Sequence, residues 1–299
     1  MTHSSKTVRQ LRQDAAGYLF LLPSFILLLT FTILPIGISV LLSFAKFNGF
    51  SALKLVGLHN YRQLFESPDF LASMKNTVWF VLMVVPAQTL LSLILAALLA
   101  SHFRDAFGEF VRGTMFIPVL CSSVLAGTVF YYLFASDSEA VINSLLASFG
   151  LEKQNWLGQR STALFVICLV DVWKNVGYFL VIFYAGILDI PKSYYEAAAI
   201  DGANRVQEFF HITLPNLRAV LYMVVTLGTI WAFQVFDLTY VMTKGGPGNA
   251  TTSPVLLLYN EAFSNLRFGY ASAIACVLAI VIFAVSMIQR AAFHEKAGT

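Results

Sequence analysis

The polar residues that could do chemistry in this chain sit where polar groups are costly. Asp171, Lys174 and Asn175 interrupt an otherwise apolar run, and Tyr178 follows them. On a helix, Asp171, Asn175 and Tyr178 stand at i, i+4 and i+7 and share one face, while Asp171 and Lys174 at i and i+3 are close enough to pair. A second apolar run carries Trp231 and Gln234 at i and i+3, with Asp237 one turn further on. A charge inside a membrane helix costs about 2.5–3.5 kcal/mol on insertion scales, so its presence points to a function or a partner. Aromatic faces beside amide and carboxylate groups suit a hydroxyl-rich ring such as a sugar. Its C–H face stacks on the aromatic ring, and its hydroxyls need donors and acceptors. Three readings stay open for Asp171 and Lys174: an internal ion pair that positions helices, a proton or ion relay, and part of a solute pathway. Trp173 lies off the Asp171 face, which also fits a packing role.

Other chemistries lack their residues. The histidines His3, His59, His102, His211 and His294 form no H-E-x-x-H or other paired ligand spacing, and Cys121, Cys168 and Cys276 form no C-x-x-C. A metal site is therefore unsupported, and the cysteines read as small buried hydrophobes. There is no G-x-S-x-G and no nucleophile–base constellation for an intramembrane enzyme. No G-x-x-x-x-G-K-[ST] occurs, and Gly245-Gly-Pro-Gly248 lacks the lysine that a phosphate cradle needs. No nucleotide site is expected on this chain, so any ATP and Mg would be held elsewhere. Asn249-Ala-Thr251 fits a glycosylation acceptor and is read as chance.

The elements that must position these residues follow from composition. The chain has 299 residues, of which 58% are hydrophobic and 12% charged, with 27 Phe and a mean hydropathy of +0.73. A water-soluble globule of this size could not cover itself with so few charges. The formal charge of +3 gives no basis for nucleic-acid binding. The chain reads as an all-α integral membrane protein, because about 20 mostly apolar residues span the hydrocarbon and a barrel strand would alternate. Six runs qualify: Ala15–Phe44, Thr77–Ala100, Val111–Phe134, Ala163–Leu188, Asn216–Met242 and Phe268–Ile288. The first is too long for a signal peptide and lacks a cleavage site, so it is read as retained. The expected organisation is a cytoplasmic segment over 1–14, a six-helix membrane domain over 15–290 and a cytoplasmic tail over 291–299. With the N terminus inside, the inner segments hold ten basic residues and the outer ones eight, which favours this orientation. Pro35, Pro86 and Pro118 lie within spans, where they kink helices for static shaping or for movement. An outer connection carries Val141, Ile142, Leu145, Leu146 and Phe149 at helical spacing, a short amphipathic helix that either packs on the bundle or meets a partner.

The inner loop between the fourth and fifth runs is strongly punctuated. Pro191 stops the fourth run, and Ser193 with Glu196 has the spacing of a capping box that starts a new helix. Ala197, Ala198 and Ala199 favour that helix, and Gly202 can end it in the left-handed conformation. Asn204 and Gln207 offer a second cap, Val206, Phe209, Phe210 and Ile212 an apolar face, and Pro215 the close. Spacing alone fits either a surface hairpin that links two spans or a small-faced helix that seats in another protein.

Glu196-Ala197-Ala198, Gly202 and Ile212-x-Leu214-Pro215 together resemble the EAA loop of ABC importer permeases. Further motifs resemble binding-protein-dependent sugar permeases: Tyr18-Leu-Phe-Leu-Leu-Pro23, Val56-Gly-Leu-His-Asn-Tyr61, Asn155-Trp-Leu-Gly158, and Asp171-Val-Trp173 with Gly177. Phe236-Asp237 with Lys244-Gly-Gly-Pro-Gly248, and Phe268-Gly-Tyr-Ala-Ser272, resemble the maltose-permease type. The resemblance implies a type I ABC importer permease bundle of six transmembrane helices with a cytoplasmic coupling helix, in a bacterial cytoplasmic (inner) membrane with both termini cytoplasmic. It implies a sugar or sugar-like solute: an oligosaccharide, monosaccharide, polyol or glycerol phosphate. The implied partners are a second permease in a heterodimer, a cytoplasmic ATPase dimer that carries ATP and Mg, an extracytoplasmic substrate-binding protein and the lipid bilayer. Carried over by motif position, Asp171, Trp173, Asn175, Tyr178, Trp231 and Gln234 become the substrate pathway. Glu196, Ala197, Ala198, Asp201 and Gly202 become the ATPase coupling element. The rival expectation is a gradient-driven secondary transporter that uses Asp171 and Lys174.

Overall fold

The structure is a computed structural model that describes residues 18–103, 105–137 and 140–294. The expected segment 1–14, the start of the first run, Arg104 and the tail end with Lys296 lie outside the described residues. The chain is helical apart from a small ribbon and forms two compact units. One gathers the described chain up to Leu64 with Glu261–Cys276; the other holds Phe65–Asn260 with the chain from Val277 onward.

In the first unit, α1 (Tyr18–Ser43) is continuously apolar and buries almost nothing within this chain. One turn, Leu29–Ile33, widens to a π turn just before Pro35. Strands β1 (Ala45–Lys46) and β2 (Lys54–Leu55) pair antiparallel, with Ala45 opposite Leu55. The short helix α2 (His59–Glu66) explains the motif around Asn60 and Tyr61. Asn60 Nδ2 donates to the carbonyls of Ser43 and Ala45 at 2.8 and 2.9 Å, and the Tyr61 hydroxyl lies 2.6 Å from Ser43 Oγ. These bonds satisfy backbone groups that the end of α1 leaves open. Gly269 lies against the Ala45 carbonyl, where any side chain would collide.

The second unit is built on two long helices. Helix α3 (Pro68–His102) starts at Ser67, whose Oγ accepts from Phe70 N, with Pro68 at the first helical position and Asp69 in the first turn. Its 35 residues make about 52 Å of helix, well beyond the roughly 30 Å of hydrocarbon, and Pro86 does not interrupt it. Helices α4 (Ala106–Leu120) and α5 (Ser123–Leu133) precede the short helix α6 (Val141–Ser148). Helix α7 (Arg160–Leu188) lies along α3, and two apolar clusters fill the seam between them. Phe80, Val84, Ile167 and Val170 belong to one; Leu93, Phe179, Leu180 and Phe183 belong to the other. Then follow α8 (Lys192–Ile200), α9 (Arg205–Asn216), α10 (Arg218–Phe233), α11 (Asp237–Thr243), α12 (Pro254–Tyr259) and α13 (Phe268–His294). Helix α9 contains a second π turn, Phe209–Thr213, and a third follows α12 at Asn260–Ser264. The last part of α13 packs on α10: Gln289 Nε2 donates to Thr229 Oγ1 at 2.8 Å, and Phe293 meets Tyr222.

Among the described residues, four helices, α1, α3, α7 and α13, are long and apolar enough to cross a bilayer unbroken, and two bent pairs make six crossings if each pair crosses once. The bends correct the sequence expectation in two places. The third run is not one straight span, because α4 and α5 meet at 95°. Pro118 removes a backbone donor near the end of α4, Cys121 is extended, and Ser122 Oγ caps α5 by accepting from Leu125 N at 3.2 Å. The fifth run is not continuous to Met242. Helix α10 stops at Phe233 and α11 restarts at Asp237, while Ser253 Oγ donates at 2.6 Å to the Val235 carbonyl freed in the gap. The amphipathic outer helix forms, yet its apolar residues split between two faces. Ile142 packs inward, whereas Val141, Leu145 and Phe149 at i, i+4 and i+8 are 58%, 58% and 75% exposed. Its anchor is the buried Asn143, which donates to the carbonyls of Ala135, Asp137 and Gln154 at 3.1 Å each.

Candidate functional site

Helix α7 carries Asp171, Asn175 and Tyr178 on one half-buried face. Asn175 stands one turn beyond Asp171, and Lys174 is half-buried between them. Tyr178 passes the face on to α10: its ring lies 5.1 Å from Trp231, and Phe179 lies 5.5 Å from the same indole. Trp231 keeps 40% of its surface exposed, so an aromatic face stands at the Tyr178 end of the face that carries Asp171 and Asn175. This group can stack on a ring and hydrogen-bond its substituents, and it holds no nucleophile set up for bond making.

Two predicted pathway residues fall outside that contact chain. Trp173 turns to α5, where it meets Phe130 edge-on with ring centres 4.9 Å apart. Gln234 is exposed at the C-terminal cap of α10, and Asp237 opens α11 rather than continuing the Trp231 face. Gly177, which the motif includes with Asp171-Val-Trp173, brings α7 against the Met115 carbonyl of α4, leaving no room for a Cβ. One further feature of this region went unread in the sequence. Gln88 of α3 is 2% exposed and presses its amide on Gly228, one turn before Trp231. The available signal was a lone glutamine in an apolar run, since a buried amide in a bundle needs a close partner.

The loop between α7 and α10 is built differently. Helix α8 has no buried residue, and Ile200 at its end is 87% exposed. Glu196, Ala197, Asp201 and Gly202 are all exposed, with Ala198 half-buried. The expected Ser193–Glu196 capping box does not form. Pro191 takes the cap position without a side-chain bond, and Ser193 already lies inside the helix. The C-terminal end matches expectation. Gly202 has φ +74°, Ala203 N donates to the Ala198 carbonyl at 2.9 Å, and Gly202 N donates to Ala199 at 3.1 Å. This is a Schellman closure, which a glycine makes without a Cβ penalty. The cap at α9 also forms in full: Gln207 N donates to Asn204 Oδ1 at 3.0 Å, and Asn204 N donates to Gln207 Oε1 at 2.8 Å. Tyr195 and Thr213 hydroxyls meet at 2.9 Å and clip α8 to α9, and Arg205 donates to His102 Nε2 at the end of α3 at 3.0 Å.

The loop from Lys244 to Ser253 is knitted into its own unit. Lys244, Gly245, Gly248 and Asn249 all have positive φ. Asn76 Nδ2 donates to the carbonyls of Asn249 and Thr252, Arg160 donates to that of Gly248, and Asn249 Nδ2 donates to Asp69. Thr251 is 1% exposed, and with the Asn249 amide engaged the sequon offers no open acceptor.

Against this geometry, four likenesses stand out. A family profile described as the binding-protein-dependent transport system inner membrane component matches residues 76–294. The chain is similar to the probable ABC transporter permease protein YurN of Bacillus subtilis (strain 168), 37% identical over 275 residues, or 91% of this chain and 94% of that protein. It is 36% identical over 282 residues to the arabinooligosaccharides transport system permease protein AraP of the same organism, covering 93% of this chain and 88% of that one. Its fold matches a chain in the crystal structure of a bacterial ABC transporter involved in the import of the acidic polysaccharide alginate, with a TM-score of 0.85. That match covers 97% of this chain and 99% of the other at 22% identity, so the likeness is one of fold.

Proposed function

The chain belongs to the family of binding-protein-dependent transport system inner membrane components, and from that premise we propose that it carries a sugar or sugar-like solute through an ATP-driven importer. It is a permease subunit and not an enzyme; ATP hydrolysis belongs to a separate subunit. In this reading a second permease completes the path, a cytoplasmic ATPase dimer binds ATP and Mg, and a binding protein delivers solute from outside. Both termini and the α8–α9 loop face the cytoplasm of a bacterial inner membrane. The relative named for arabinooligosaccharides supports a saccharide cargo.

The observation that carries the coupling role is the bareness of α8. A nine-residue helix with no buried residue and an apolar tip is tied to its own chain through Tyr195 and leaves the rest of its surface bare. It is shaped to seat in a cleft of another protein. Glu196, Ala197, Ala198, Asp201 and Gly202 form the seat. Closure of the ATPase pair would move this helix, and the clips at Tyr195–Thr213 and Arg205–His102 carry that motion to the spans. Asp171, Asn175, Tyr178 and Trp231 form the solute face, with Gln234 and Trp173 at its margins.

Reconstitution of the assembled importer in vesicles tests this reading. Asp171→Ala should lower solute uptake about tenfold, as expected for loss of one polar contact to the solute, and Gln234→Ala, at the exposed margin of the face, should lower it less, while the ATPase still co-purifies. Full uptake by both variants removes the pathway assignment. Uptake by this chain without an ATPase, driven by an ion gradient, would replace the importer with the relay that uses Asp171 and Lys174.

A further inference from the structure

Beneath the α8–α9 loop lies a cavity of about 560 Å³, bounded by the last turns of α3 and α7 and by α9. That volume falls within the roughly 300–1,000 Å³ that accepts a whole small molecule. Its walls are apolar, with Ile94, Leu98, Ile187, Leu188, Phe209 and Phe210. Leu98, Leu188 and Phe210 are 48%, 50% and 56% exposed, so these walls are open rather than closed by the bundle. The rim is charged: Lys192 and Arg205 are its cations, and Glu208 is its acid. Arg205 is held by its bond to His102 Nε2, while the other ring nitrogen of His102 meets Ser101 Oγ at 2.7 Å. That bond uses one of the five N–H donors of the guanidinium and leaves the others for a ligand.

An apolar slot that ends in two cations needs a ligand with a long apolar body and one negative head. The slot sits where two long apolar helices end, which is where a membrane leaflet meets water. Basic pockets between helices on the cytoplasmic side hold anionic lipid headgroups by this charge pattern. We propose that this cavity binds one anionic phospholipid, its acyl chain against Leu98, Leu188 and Phe210 and its phosphate on Lys192 and Arg205. The lipid would then wedge the base of the coupling loop against α3 and α7. The assignment to the inner leaflet rests on the cytoplasmic placement of the loop proposed above.

The test is native mass spectrometry of the delipidated permease pair, with and without its ATPase, titrated with phosphatidylglycerol or phosphatidylcholine. The wild type should bind phosphatidylglycerol in preference to phosphatidylcholine. Lys192→Gln combined with Arg205→Gln should weaken phosphatidylglycerol about thirtyfold, from about fivefold for each cation, and leave phosphatidylcholine unchanged. Leu98→Trp, which fills the slot, should reduce both lipids. Equal binding of the two lipids by the wild type, or wild-type affinity in the double variant, overturns the proposal. Displacement of the lipid by equimolar glycerol phosphate would make this a free-anion site and also overturn it. Loss of the lipid when the ATPase joins would assign the surface to that protein instead. Lipid binding is read on the permease pair itself, so an importer that fails to assemble with an ATPase is a separate result.

Discussion

The loop at Lys244–Ser253 and the loop at Lys192–Asn204 have similar length and opposite construction. The first is tied by side chains from two other helices, Asn76 of α3 and Arg160 of α7, and it buries Thr251, Thr252 and Ser253. Of its four positive-φ residues, Gly248 and Asn249 accept those bonds, and the Gly245 carbonyl accepts from Thr251 N and Thr252 Oγ1 within the loop. The second buries none of α8, and a Cβ added to Gly202 would meet nothing within 4 Å. A loop that finishes its own hydrogen bonds keeps its shape alone. A loop that caps its helix ends carefully but leaves their faces bare is made for a partner. The difference separates a self-supported surface, suited to presenting a constant shape, from the bare one that the proposed coupling role would use.

Three substitutions test the contrast. The largest effect is expected from Gly202→Val. A β-branched residue at φ +74° is strained by about 1–2 kcal/mol, and its added bulk enters the docking face. Solute uptake by the assembled importer should fall more than about tenfold while the ATPase runs without solute control. Unchanged coupling would count heavily against docking by α8. Next, Asn76→Leu deletes two bonds to the fixed loop and should cost about 1–3 kcal/mol, read as a lower melting temperature with the ATPase still bound. Loss of ATPase binding instead would erase the distinction between the two loops. The smallest effect is expected from Asn204→Ala, which removes one half of the reciprocal cap on α9 at a cost of about 1 kcal/mol. Uptake should drop a few-fold, with a fall in melting temperature smaller than that of Asn76→Leu, measured side by side.

Helix identity and rough position were legible because apolar length is a property of composition, and Gly202 was legible because only backbone geometry is at stake there. Direction was harder to read. Pro118 and Ser122 stood in plain view, yet an apolar count does not say that a run turns through 95°. The break after Phe233 has no glycine or proline to mark it; it depends on Ser253, remote in sequence, reaching the Val235 carbonyl. The Ser193 box lost to Pro191, whose fixed φ makes it the cap two residues early. In the solute face, Asp171 and Asn175 followed from helical spacing. The choice between Trp231, which joins Tyr178, and Trp173, which joins Phe130, is a matter of which neighbour packs closer. Gln88 was invisible for the same reason, since its significance is the bare Gly228 opposite.

The π turn at Phe209–Thr213 sits between α8 and the span that carries Trp231. Such a turn holds one residue more than an α turn. Deleting one residue there would let it close as a regular α turn and leave both flanks in register, whereas deleting one from the regular winding of α10 before Trp231 would rotate everything beyond it by about 100°. Every motif on either side would survive either deletion. What distinguishes the two is phase, so the angle between α8 and the indole is encoded in a count of residues rather than in any one of them.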